Sequence, residues 1–70
     1  MQIIDKEINY LDLEKNIKIK LENSKINFIK DLWILKRTDL KKMNFSDYEI
    51  KKIIISLELN GLDLNKKNYN

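Results

Sequence analysis

Residues 44–64 read NFSDYEIKKIIISLELNGLDL, and this stretch decides the fold. Ser46 and Glu49 stand in the S-x-x-E spacing of a capping box. The hydroxyl takes the backbone N–H three residues on, and the carboxylate reaches back. Gly61, the single glycine of the chain, suits a left-handed residue past a helix end, with Leu62 placed to fold onto the last turn. Between these signals Ile50, Ile53, Ile54 and Leu57 recur at i, i+3, i+4 and i+7 and so share one face. The spacing predicts a helix over about 47–60, the longest of the chain. On the same helix Ile55 and Leu59 lie almost opposite, four residues apart and therefore adjacent. They are candidate protein-binding residues unless something covers them, and the N-terminal arm, with Ile3, Ile4 and Ile8, is the expected cover.

Working outward, the residues before this helix suit shorter ones. In residues 14–23, EKNIKIKLEN, Ile17, Ile19 and Leu21 alternate with charges as a strand would. Leu13, Ile17 and Leu21 also recur every fourth residue. A strand needs a partner and no second alternating run exists, so a helix is expected, with Ile19 off its stripe. Residues 24–26 read as a turn. Asn27 is the expected N-cap of a short helix carrying Phe28, Ile29, Leu32, Trp33 and Leu35, with Trp33 as core or half-core. After an interruption over residues 36–38, a further short helix faces Leu40 and Met43 inward. Residues 1–13 show no clean period and read as an irregular arm packing on the domain, and residues 65–70 as a polar tail that frays. The expected architecture is all-α: a compact bundle of four to five short helices over residues 14–64. From Leu40 to Ile50 it has a helix-hairpin-helix-like element, whose second N-terminus offers backbone N–H groups to phosphate.

Composition narrows the function. At 70 residues the chain permits one small core, and it has neither cysteine nor histidine, which excludes disulfides and the usual zinc ligand sets. No apolar run approaches the roughly 20 residues of a membrane span, and the N-terminus lacks the order of a signal peptide. A cytoplasmic domain with no cofactor and no metal is the expectation. Carboxylate pairs occur, Asp12 with Glu14 and Asp47 with Glu49, but no nucleophile or glycine-rich loop accompanies them, so no catalytic site is expected. Net charge is +3 and uneven: −3 over residues 1–14, +6 over 15–42 and zero over 43–70. The middle third could meet an anionic partner, although lysines solvating the outer faces of small helices explain the same pattern.

The order of residues resembles a known family, the C-terminal domain of the bacterial RNA polymerase α subunit. That family reads approximately I-x-x-L-E-L-S-V-R-S-x-N-C-L-K, then I-x-x-I-x-D-L, D-L-L-K-x-x-N-F-G-K-K-S-L-x-E-I and L-x-x-x-G-L-x-L. Here the corresponding residues are Ile8-Asn9-Tyr10-Leu11-Asp12-Leu13, Leu21, Ile26-Asn27-Phe28-Ile29-Lys30-Asp31-Leu32, Asp39-Leu40-Lys41-Lys42, Asn44-Phe45, Ile50, Ile53, Leu57 and Gly61-Leu62-Asp63-Leu64. The match runs over about residues 7–64, with one residue missing just before Asn44. It implies a non-catalytic part of DNA-directed RNA polymerase. Such a domain is joined to the polymerase core by a linker outside this chain, docks on upstream promoter DNA and transcription regulators, and is cytoplasmic at the nucleoid.

The family's contact residues are largely replaced. Asn16 stands where an arginine enters the minor groove of A·T-rich DNA. Ile19 and Lys20 replace an asparagine and a cysteine, Ser46 a hairpin glycine, and Tyr48 and Glu49 a lysine and a serine. Lys42 and Asn44 keep their family identities. The candidate nucleic-acid-binding set is therefore Lys15, Asn16, Lys18, Lys20, Lys42, Asn44 and Ser46, with weak, salt-sensitive and sequence-poor binding expected. A stand-alone helical module that binds protein on a degenerate helix-hairpin-helix scaffold is the other reading.

Overall fold

Among the described residues, three of the four α-helices begin on a capping acid and three end on a left-handed residue. A computed structural model describes residues 3–62. The N-terminal residues form two single 3₁₀ turns, Ile3–Asp5 and Ile8–Tyr10, followed by α1 (Lys15–Asn23), α2 (Ile29–Trp33), α3 (Arg37–Lys42) and α4 (Asp47–Leu59). The domain is all-α, and α4 is its longest helix, as the sequence predicts. The C-terminal residues read as a fraying tail lie outside the described residues, as do Asp63 and Leu64.

At three helix starts an acid in the third helical position accepts the backbone N–H of the N-cap residue: Asp31 from Phe28 (3.2 Å), Asp39 from Lys36 (3.0 Å) and Glu49 from Ser46 (2.8 Å). Only Ser46 returns the bond, its Oγ accepting from the Glu49 N–H at 3.2 Å. Phe28 and Lys36 have no side-chain acceptor, so there the acid caps alone. Asn27, the expected N-cap of α2, is used elsewhere. Its carbonyl accepts the Ile8 N–H (2.9 Å), and the Ile29 N–H donates to the Lys6 carbonyl (2.9 Å). Glu7 and Phe28 thus form an isolated antiparallel bridge that ties the arm to the start of α2.

Three helix ends share one geometry. Past α1, α3 and α4 the chain enters the left-handed region at Lys25 (φ 64°), Asn44 (φ 70°) and Gly61 (φ 77°). The next N–H then bonds five residues back: Ile26 to Leu21 (2.9 Å), Phe45 to Leu40 (3.1 Å) and Leu62 to Leu57 (2.9 Å). These are Schellman turns, each returning an apolar residue toward the helix just completed. Ile26 and Phe45 are buried, and Leu62 packs against the core.

The core takes Ile8, Leu11 and Leu13 from the arm, Ile17 and Leu21 from α1, Ile29 and Leu32 from α2, Leu40 from α3, and Ile50, Ile53 and Leu57 from α4. Each such side chain contributes about 1.5–3 kcal/mol when fully buried. Ile19 stays 45% exposed, off the stripe of α1 as its spacing predicts. Trp33 and Met43 are half-buried. The arm lies on α2 and α1; it does not cover the back of α4, where Ile55 is 41% and Leu59 79% exposed. That expectation is overturned because the bridge at Glu7 and Phe28 ties the start of the arm, with Ile3, Ile4 and Ile8, to α2 and α1 instead.

Candidate nucleic-acid and protein interfaces

At the turn between α3 and α4, where the resemblance implies a phosphate contact, the protein's own side chains occupy the helix start. Lys20, late in α1, extends its ammonium across to this turn. It donates to the Asn44 carbonyl (2.7 Å) and to Glu49 Oε1 (2.7 Å), and it sits 4.8 Å from the centre of the Phe45 ring. Glu49 Oε1 also receives the Ser46 N–H. The Glu49 residue is only 8% exposed although charged. The Lys20 ammonium and the Ser46 N–H hold its carboxyl below the ordinary value, while burial pushes the other way and loses. A carboxylate on the N-terminal N–H groups of α4 also offsets the positive end of the helix dipole. The hairpin is therefore built for an anion and already contains one.

The seven candidate nucleic-acid residues separate into two groups. Lys20, Asn44 and Ser46 come together, but around Glu49. Lys15, Asn16 and Lys42 are exposed and Lys18 is half-buried; among the described residues none of these four makes a side-chain hydrogen bond or ion pair.

A second surface runs along the outer side of α4. Tyr48, Lys52, Ile55 and Leu59 follow one another at intervals of four, three and four residues, the spacing of a helix–helix seam. The Tyr48 hydroxyl donates to Glu14 at the entrance to α1, and the Lys52 ammonium lies 5.4 Å from the Tyr48 ring centre. Hydrogen bonding to the Glu14 carboxylate keeps the Tyr48 proton in place, and the negative charge of that carboxylate adds to the effect, so the Tyr48 pKa is raised. Beside this seam runs a groove lined by Asp12, Leu13, Glu14, Lys52, Ile55, Ser56 and Leu59. Ile55 and Leu59 are thus brought together, exposed and bordered by charge. The carboxylate pairs read as capping and surface residues take those parts: Glu49 caps α4, Glu14 holds Tyr48, and Asp47 pairs with Lys41 on α3.

Sequence reasoning missed the Lys20–Glu49 and Tyr48–Glu14 contacts, which join residues 29 and 34 positions apart. The only local signal was the Glu49 cap itself, which already assigned that carboxylate to the helix start. Among the described residues no three acidic side chains converge on a metal-binding geometry, and no helix is long and apolar enough to cross a membrane. Compared with known proteins, the chain matches no family model and no curated protein.

Proposed function

We propose that this chain is an accessory, non-catalytic domain of the kind that ends the bacterial RNA polymerase α subunit. In this reading it is tethered to the polymerase core through a linker outside the chain, works in the cytoplasm at the nucleoid, and acts mainly by docking transcription regulators. Contact with upstream promoter DNA is weak and carried by exposed lysines. What supports the kinship is the run of matching residues over about 7–64. The observation that carries the weak DNA contact is the Glu49 carboxylate seated on the N-terminus of α4 and neutralised by Lys20. A phosphate arriving there would have to displace an internal anion.

The exposed seam of Tyr48, Lys52, Ile55 and Leu59 favours a second reading, a stand-alone helical module that binds protein. Both readings give the domain a protein partner and differ in which one. Tagged at its natural locus, the chain should co-purify with the large subunits of RNA polymerase under the first reading. Recovery free of polymerase overturns that reading in favour of the second. The DNA contact is tested by titrating the domain with A·T-rich and mixed-sequence duplexes. Binding should be weak, indifferent to sequence and lost at high salt; tight, discriminating binding at high salt contradicts the proposal. Because position 16 is exposed, Asn16→Arg should be tolerated and should strengthen A·T-rich binding.

A further inference from the structure

Surface charge is not shared evenly among the grooves. One is bordered by Asp12, Glu14 and Lys52, and a second by Glu7 and Glu22 with no cation among its lining. The third lies between α3 and α4 and reverses the sign: Arg37, Lys41 and Lys51 line it with one acid, Asp47, over a floor made by buried Ile50. Its walls are two i, i+4 ladders, Arg37 with Lys41 on α3 and Asp47 with Lys51 on α4. Arg37 is the only arginine in the chain. Asp47 pairs with Lys41 in an exposed contact, with side-chain exposures of 85% and 56%. Arg37 and Lys51 make no ion pair among the described residues. This differs from the hairpin corner, where Lys20 has three partners.

We infer that the α3–α4 groove, and not the hairpin N-terminus, is the main contact of this domain with the phosphate backbone of duplex DNA. Arg37 offers a planar fork of donors to one phosphate and Lys51 a point charge to the same or the next. Lys41 joins them when Asp47 gives it up. Ion pairs as exposed as Lys41–Asp47 are weak, so that exchange is inexpensive. Backbone phosphates carry no base identity, and binding here is therefore blind to sequence. The inference rests on the weak DNA contact proposed above and is independent of attachment to polymerase.

The test uses the full chain and fluorescently labelled mixed-sequence duplex DNA, titrated across a salt series. Removing Arg37 and Lys51 together (Arg37→Ala with Lys51→Ala) should weaken binding about tenfold at low salt. It should also reduce the slope of log affinity against log salt by about 2. The comparison pair, Lys15→Ala with Lys18→Ala, removes the same charge from the rival candidate surface on α1 and should weaken binding several-fold less than the groove pair does. Asp47→Asn frees Lys41 and removes the groove's acid, so affinity should rise by about two- to fivefold. Circular dichroism of each variant confirms that it is folded. The inference is overturned if the α1 pair loses as much as the groove pair, or if Asp47→Asn leaves affinity unchanged or lower. Absence of any binding by the parent at low salt would remove the weak DNA contact along with the groove. It would leave polymerase co-purification to be judged on its own.

Discussion

The hairpin corner and the α3–α4 groove contain similar charges and use them in opposite ways. At the corner, Lys20 and Glu49 are held by the backbone and by each other, with side-chain exposures of 35% and 11%. In the groove, Arg37 and Lys51 face solvent, and the one ion pair present is exposed. The difference shows that a count of lysines says little about where an anion can bind. An ammonium already coordinated by a carbonyl, a carboxylate and an aromatic face contributes to cohesion between helices. An ammonium or guanidinium without those partners is available to a ligand.

Removing one side of the corner should have the largest effect. Glu49→Ala deletes the carboxylate half of the α4 capping box and leaves the Lys20 ammonium without its counter-ion, and should destabilise the domain by about 2–3 kcal/mol. For a domain of this size that lowers the melting temperature by about 10 °C or more, readable by circular dichroism. The paired change Lys20→Met with Glu49→Leu removes both charges and should cost less than Glu49→Ala alone. If the pair costs as much, the corner holds the fold by its cap rather than by its ion pair.

Acid should act on the same corner. The Glu49 carboxyl is held below its ordinary value of 4.5. Above that value, therefore, the stability it contributes is fully present, and it is lost as pH falls through the lower folded value. Melting temperature should drop on acidification below about pH 4.5, and Glu49→Gln should flatten that part of the profile. An unchanged slope in the variant would assign the acid sensitivity to other carboxylates.

Next in size are the helix ends. Lys25 holds φ 64° with a full side chain, so Lys25→Gly should stabilise by about 1 kcal/mol in urea unfolding. Gly61→Ala should cost about 1 kcal/mol. That cost is one of backbone conformation alone, because a Cβ at Gly61 would meet nothing within 4 Å. Smallest of all, Leu59→Gln and Arg37→Ala with Lys51→Ala should stay within about 0.5 kcal/mol of the parent. A large loss from either would mean that the exposed seam or the groove is bound to the rest of the domain after all.

Local chemistry is what the sequence made readable. Ser46, Glu49 and Gly61 announce both ends of α4 because every bond involved spans a few residues. The stripe of Ile50, Ile53 and Leu57 announces its buried face for the same reason. In α1 the lack of a pairing partner decides between strand and helix spacing, and Ile19 falls outside the stripe. The arm's path is not legible, because Ile3, Ile4 and Ile8 carry no period. Its path depends on main-chain bonds to Asn27 and Ile29, which leave no side-chain signature. Asn27 has the side chain of a cap, but its carbonyl holds the arm and Phe28 takes the cap position. The anion site at the hairpin was legible as a motif. Its occupation by Glu49 under Lys20 depended on a residue 29 positions away.

The three Schellman turns also bear on how quickly the chain finds this arrangement. Each reversal, at Lys25, Asn44 and Gly61, is specified by residues within one turn of helix. A chain that settles its changes of direction locally closes few long loops before its contacts begin to reward it, and such chains cross the folding barrier in microseconds to milliseconds. Longer closures remain beside them: the bridge from Glu7 to Phe28 closes a loop of about 20 residues, and the Lys20–Glu49 and Glu14–Tyr48 contacts close loops of 29 and 34 residues.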